Sequence, residues 1–152
     1  MALIFAGQAQ AVTNFSISPV KISVKEGDQF RVDIGINPNN VMNYTVKTSI
    51  KFPADLVTLS TWTYAKNWMP LRQSGYDYFS NTSGELIRTA GYPGGFGQIT
   101  SFGSAQFIAK KSGAGAITFA GDGLALDANN ANLYAGGNLL AMTISPLIQK
   151  IL

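Results

Sequence analysis

The chain has 152 residues, enough for one domain that buries a hydrophobic core without disulfides or structural metals. It contains no Cys and no His, which excludes disulfides, cysteine nucleophiles, Ser-His-Asp triads and thiolate or imidazole metal ligands. Its net charge of +3 comes from basic residues that are scattered along the chain, so nucleic acid is not expected as a partner.

The start of the chain, MALIFAGQAQA, is apolar and ends on Ala-Gln-Ala, the small-x-small pattern of secretory cleavage sites. We interpret residues 1–13 as the remainder of an export signal or an N-terminal segment. The alternative is a first strand that packs on the domain or on a neighbour. We expect the domain at residues 14–145 and a C-terminal tail or linker start at residues 146–152. No stretch reaches the about 18 apolar residues of a membrane-spanning helix.

Alternation of apolar and polar residues predicts strands in the first half of the chain. Pro19 interrupts the first of these, which suggests an edge strand or a bulge. Three successive apolar sets carry the pattern: Phe15, Ile17, Val20, Ile22 and Val24; Phe30, Val32, Ile34 and Ile36; Tyr44, Val46, Thr48, Ile50 and Phe52. The odd-numbered residues between Tyr44 and Phe52 are expected to face outward. After a turn at residues 53–55, Leu56, Val57 and Leu59 are expected to re-enter the core.

The second half continues in the same way after a less regular, aromatic-rich segment at residues 60–80. Short strands are predicted at residues 85–92, 104–110, 116–120 and 138–144, with one more inside residues 121–132. About nine short strands separated by Gly, Pro and Asn turns favour an antiparallel β-sandwich with Greek-key or jelly-roll topology.

Carboxylates are the remaining candidates for catalysis. A glycosidase needs two of them flanking the scissile bond. The acidic residues are dispersed and lie in no recognisable motif: Asp33, Asp55, Asp77, Glu85, Asp122 and Asp127. Residues 127–132 (DANNAN) alternate oxygen side chains as Ca²⁺ loops do, but with one carboxylate they are interpreted as an Asx-rich turn. We therefore predict no enzymatic activity, no cofactor and no metal site, and leave Ca²⁺ binding at this turn open.

Three segments together resemble the cohesin family. They read KFPADLVTL (residues 51–59), AQFIAKKSGAGAITF (105–119) and LALDAN (124–129). The segment VKEGDQFRV (24–32) also fits the family's opening of strand, Gly-Asp and strand. Phe52 directly precedes Pro53, where the family more often has Asp. The order and spacing of these segments hold from about residue 14 to residue 145.

The resemblance implies a secreted or cell-surface, non-catalytic module that binds a dockerin-like partner through one exposed sheet face. A charge content of only 12% also suits an extracellular β domain, because Ser, Thr, Asn and Gly must then form much of the surface. By resemblance, the partner-binding face comprises the outward residues of three strands: Thr45, Lys47, Ser49, Lys51, Arg88, Gln106 and Ile108.

Two other functions remain open from the sequence. A carbohydrate-binding module would use an exposed row of aromatic rings, since ring faces suit the apolar faces of sugars. The candidates are Trp62, Tyr64, Trp68, Tyr76 and Tyr78. In a sandwich, however, most large aromatics fill the core, and Trp62 and Trp68 are expected to pack there. The third hypothesis is a structural subunit of a surface filament or layer that gives residues 1–14 to a neighbour as a strand.

Overall fold

The computed structural model describes residues 12–148, and every regular element in this range is a β-strand. The segment interpreted as an export-signal remainder or a donated strand lies almost entirely outside the described residues. Thirteen strands form two sheets in place of the about nine predicted. The number is larger because Pro19 divides the first predicted strand in two and because several short strands add to the sheet margins. The predicted all-β sandwich is confirmed.

The first sheet has five strands. In spatial order they are β12 (Tyr134–Gly137), β1 (Thr13–Ser18), β3 (Gln29–Asn37), β9 (Thr100–Ala109) and β5 (Val57–Tyr64). The central strand β3 shows why the alternation predicts this sheet. Val32, Ile34 and Ile36 are buried against the opposite sheet, while Arg31 and Asp33, on the alternate positions, form an ion pair on the outer face.

The second sheet has eight strands. Its main path runs β2 (Lys21–Lys25), β13 (Leu140–Ser145), β10 (Gly113–Phe119), β4 (Asn43–Lys51), β8 (Glu85–Phe96) and β6 (Met69–Pro70). Two further strands add to it: β11 (Leu124–Leu126) pairs with β4, and β7 (Asp77–Ser80) pairs with β8. The chain passes back and forth between the two sheets, as the predicted jelly-roll topology requires.

Two strand pairs are parallel in an otherwise antiparallel fold. β1 pairs with β12 in one sheet, and β2 pairs with β13 in the other. The segment around Pro19 lets the chain cross between the sheets, because proline cannot continue a ladder of hydrogen bonds. The beginning and the end of the domain therefore pair with each other in both sheets.

The core lies between the sheets. It combines aliphatic side chains from both layers with a central aromatic group. Phe107 stacks on Phe30 at 5.6 Å between ring centroids and meets the edge of Phe52 at 5.2 Å. Phe102, which is fully buried, contacts Trp68 edge-to-face at 4.8 Å. Such pairs each add stabilisation beyond the area that they bury.

Two asparagine side chains complete strand backbones in the five-stranded sheet. The amide oxygen of Asn81 accepts a hydrogen bond from the Leu59 N–H at 2.7 Å, and its amide nitrogen donates to the Leu59 carbonyl at 3.0 Å. Asn138 binds both backbone groups of Ile17 at 2.7 and 3.0 Å. At these two positions of β5 and β1, a side-chain amide therefore makes the two hydrogen bonds that a residue of a neighbouring strand would otherwise make.

Candidate functional site

The outer face of the eight-stranded sheet can be built from the register of β4 and β8. Residues directly opposite each other in an antiparallel pair lie on the same face. The buried pair Ile50 and Leu86 fixes the inward face. The outward rows are therefore Lys51 with Glu85, Ser49 with Ile87, and Lys47 with Thr89.

Flanking strands extend these outward rows on both sides. On β7, Tyr78 lies opposite Ile87 and is 46% exposed. On β11, Leu124 lies opposite Lys47 and Leu126 lies opposite Thr45, and both leucines are half-buried. The centre of the face thus carries apolar side chains beside the lysines. We call these residues the outer face: Thr45, Lys47, Ser49, Lys51, Tyr78, Glu85, Ile87, Leu124 and Leu126.

Two ion pairs border this apolar centre. The Lys51 ammonium contacts the Glu85 carboxylate, and this hydrogen bond, helped by Ser83, lowers the pKa of Glu85. Lys47 Nζ lies 3.3 Å from Asp122 Oδ2. Burial opposes ionisation of Asp122, but the Ser49 hydroxyl and the Lys47 ammonium outweigh it, so the pKa of this carboxyl is lowered. Both carboxyl groups are therefore ionised near neutral pH, and the face combines opposite charges with an apolar centre.

The structure divides the predicted partner-binding residues into three groups. Thr45, Lys47, Ser49 and Lys51 lie on the outer face as expected, although Ser49 is 5% exposed. Gln106 and Ile108 lie on β9, in the five-stranded sheet, so they belong to the opposite side of the sandwich. The expectation of a single face that includes them does not hold.

Arg88 corrects the expected orientation of β8. It pairs with Thr48, which is fully buried, and shares the inward face with Leu86 and Ala90. Its guanidinium reaches the margin between the sheets, where it contacts Asp77. The resemblance instead implies an outward position for Arg88 on the partner-binding face. The outward residue is its neighbour Ile87, and the spacing of Leu86 and Ala90, both inward, is the sequence signal that identifies this.

Three of the five aromatic candidates for sugar binding are packed against one another or against the core. Trp62 and Tyr64 meet edge-to-face at 5.5 Å, and both contact Phe102. Trp68 is 7% exposed, and its indole N–H donates to the Ser101 carbonyl at 2.8 Å. The prediction that Trp62 and Trp68 are packed is confirmed, and the five rings do not form an exposed row.

Tyr76 and Tyr78 are the two exposed members of that set, at 39% and 46%. They lie just before and within β7, at the margin of the eight-stranded sheet. Tyr78 is part of the outer face, and aromatic side chains of this kind are enriched at protein interfaces.

The outer face of the five-stranded sheet is different in character. Polar side chains surround a shallow cavity of about 320 Å³ there, including Arg31, Thr61, Thr63, Ser104 and Gln106. The Arg31 guanidinium binds Asp33 at 2.8 Å. Hydroxyl, amide and guanidinium groups are prominent around this cavity.

Residues 127–132 form the predicted Asx turn. One carboxylate oxygen of Asp127 accepts hydrogen bonds from the backbone N–H groups of Asn129 and Ala131, at 2.8 and 2.9 Å. The Asn132 side chain accepts from the N–H groups of Ala125 and Tyr134. These oxygen atoms bind the chain itself, and within residues 12–148 no group of three or more acidic side chains could hold a metal ion.

Within residues 12–148, no helix is long and apolar enough to cross a membrane.

Comparison with solved structures identifies the fold. A cohesin module of a family 33 glycoside hydrolase from Clostridium perfringens superposes with a TM-score of 0.73 at 13% identity, covering 91% of this chain and all of that one. A non-cellulosomal cohesin from Archaeoglobus fulgidus gives 0.70 at 13% identity, covering 88% and 91%. A type I cohesin–dockerin complex from Clostridium thermocellum gives 0.69 at 12% identity, covering 93% and 99%.

These similarities show that the chain is a cohesin-like domain in its fold. No family model matches the sequence. No curated protein matches it either.

Proposed function

We propose that this chain is an extracellular, non-catalytic protein-binding module, and that it binds a dockerin-like partner on the outer face of its eight-stranded sheet. The observation that carries the proposal is the composition of that face. Ile87, Leu124 and Tyr78 form an apolar centre, bordered by the ion pairs of Lys47 and Lys51. Specific protein interfaces combine an apolar, aromatic centre with a polar rim in this way.

The arrangement of the face supports a macromolecular partner. Its residues project from adjacent strands of one sheet, so they form one continuous surface. A helix with an apolar stripe can lie across such a surface, with its polar positions near Lys47, Lys51, Glu85 and Asp122. Several of the solved structures with this fold are cohesins in complex with dockerins.

The acidic groups support a binding role over catalysis. Glu85, Asp122 and Asp77 each contact a basic side chain, and Asp127 binds backbone N–H groups. Hydrolysis of a sugar would need two carboxylates that are free to face the substrate. The extracellular location rests on the low charge content and on the resemblance of residues 1–13 to an export signal. We propose residues 14–145 as the functional module; strands β1 to β13 run from Thr13 to Ser145.

A pair of matched substitutions tests the docking face. Ile87 and Ile108 are both half-buried isoleucines that point outward from inner strands, but from opposite sheets. We expect Ile87→Lys to weaken binding to a cognate dockerin by about 2 kcal/mol or more, because it places a charge in the centre of the interface. Ile108→Lys should leave binding unchanged.

Binding would be measured by isothermal titration calorimetry against the dockerins encoded in the source genome. Circular dichroism and thermal unfolding of both variants would show that each is folded. Failure of the unmodified domain to bind any of these dockerins would refute the dockerin proposal. Equal losses in the two variants would refute the assignment of the face.

A further inference from the structure

A cleft of about 210 Å³ opens between the margins of the two sheets, on the side of the sandwich where β5 faces β7 and β8. Trp62 and Tyr64 line it from β5, Asp77 from β7 and Arg88 from β8, while Arg72 comes from the segment between β6 and β7. It is distinct from the outer face, because Trp62, Asp77 and Arg88 occupy inward positions of their strands.

The guanidinium of Arg88 is held in a fixed position in this cleft. Its Nη1 contacts the Asp77 carboxylate and lies 3.2 Å from the Ile87 carbonyl. The Phe79 ring packs on it, with 5.8 Å from the guanidinium carbon to the ring centroid. The side chain is only 14% exposed. Its Nε and Nη2 groups have no hydrogen-bond acceptor among residues 12–148, so two donors in a rigid fork remain available.

Positive charge exceeds negative charge around these donors. Two guanidiniums and the Tyr64 ring line the cleft. Burial raises the pKa of Tyr64 to about 12, while Arg88 and Arg72 act against that rise and Asp77 adds to it. Arg72 forms no ion pair with any described residue, and Asp77 is the one carboxylate among the residues that line the cleft. A second carboxylate would balance the two guanidiniums and match their planar donor geometry.

The size and the rim of the cleft indicate what carries that carboxylate. The volume is smaller than the roughly 300–1,000 Å³ of pockets for drug-sized ligands, so it suits a single side chain. Beside the opening, the Phe79 ring that packs on Arg88 is 51% exposed. Arg and Tyr are among the residue types enriched where protein partners bind most strongly.

We propose that this cleft binds the carboxylate of an Asp or Glu side chain from a protein partner, between Arg72 and Arg88, while the partner's chain packs on the exposed Phe79 ring of β7. The site goes beyond the proposed docking face and does not depend on it. A partner would engage it with an acidic residue on an extended segment or loop that approaches the open side of the sandwich.

A titration with short blocked peptides tests the site. The probes are Ac-Ala-Glu-Ala-NH2 and its neutral counterpart Ac-Ala-Gln-Ala-NH2, added to the ¹⁵N-labelled domain. The indole N–H of Trp62, which is buried without an acceptor in the described residues, and the Nε–H groups of Arg72 and Arg88 are the reporters. We expect saturable shifts of these signals with the Glu peptide, and affinity at least about tenfold lower for the Gln peptide, since a charge-assisted hydrogen bond is lost.

Arg72→Gln is the informative variant, because Arg72 is exposed and its replacement leaves the Arg88–Asp77 pair intact. It should lower the affinity for the Glu peptide about tenfold. Arg31→Gln removes the same charge from the outer face of the five-stranded sheet and should change nothing.

Three results would overturn the proposal: no saturable shift, equal binding of the Glu and Gln peptides, or equal binding of acetate or phosphate at the same signals. The last would show a site for free anions. The Ile87→Lys variant should bind the Glu peptide normally, so failure of this site and failure of the docking face are separate results.

Discussion

The paired hydrogen bonds of Asn81 predict a measurable loss of stability when the side chain is removed. Leu59, which is 5% exposed, lies where β5 loses register with β9, and its backbone N–H and carbonyl both bind the Asn81 amide. Each such bond contributes about 0.5–1.5 kcal/mol net, so Asn81→Ala should lower the free energy of unfolding by about 1–3 kcal/mol. For a domain of this size, that corresponds to a decrease in Tm of about 2–12 °C.

Urea unfolding followed by tryptophan fluorescence would give the free-energy difference, and calorimetry would give the shift in Tm. Asn14→Ala is the control, since Asn14 is exposed on β1 and its side chain forms no hydrogen bond with the described residues. The control should stay within about 0.5 kcal/mol of the unmodified domain. A similarly small effect of Asn81→Ala would show that water replaces the amide at this edge without cost, and would refute the reasoning.

Two further predictions follow from the backbone and from burial. Gly84→Ala should destabilise the domain by at least about 3 kcal/mol, because a Cβ at this position (φ +73°) would lie 2.1 Å from the Phe52 carbonyl oxygen. Gly27 also has a positive φ, of +90°, but open space surrounds it, so Gly27→Ala should cost only about 1 kcal/mol. Urea unfolding of both variants checks this, and comparable losses of stability would contradict it. Tyr64, with its pKa of about 12 and its hydroxyl donating to the Thr89 carbonyl, should contribute stability that is present below pH 10 and lost as the pH rises toward 12. Spectrophotometric titration of the domain and its Tyr64→Phe variant at 295 nm checks this, and ionisation of Tyr64 near pH 10 would contradict it.

The strands that could be predicted are those with a strict period of two. Val32, Ile34 and Ile36 alternate with polar residues, and only one register buries all three. Phe107 and Ala109 on β9 follow the same rule. The parallel pairs β1–β12 and β2–β13 could not be predicted, because they join residues more than a hundred positions apart. Local patterns determine which face of a strand is buried but do not determine its partner strand.

The candidate site shows the same limit on a smaller scale. Lys47 and Lys51 could be placed on an outer face, because Val46 and Ile50 mark the inward side of β4. Gln106 and Ile108 alternate with buried residues of β9 and point outward, but the assignment of β9 to a sheet depends on its pairing with β3 and β5. Orientation is a local property of a strand, whereas membership of a sheet depends on long-range contacts.

Arg88, expected to point outward but found on an inward position, affects both proposed sites. A charged residue on an inward position is costly unless its charge is paired, and here Asp77 supplies the partner at the margin of the sandwich. Because Arg88 takes the inward position, Ile87 takes the outward one and gives the docking face an apolar centre. The orientation of one strand therefore determines both surfaces: the cleft gains a rigid guanidinium, and the outer face gains the side chain whose replacement tests it.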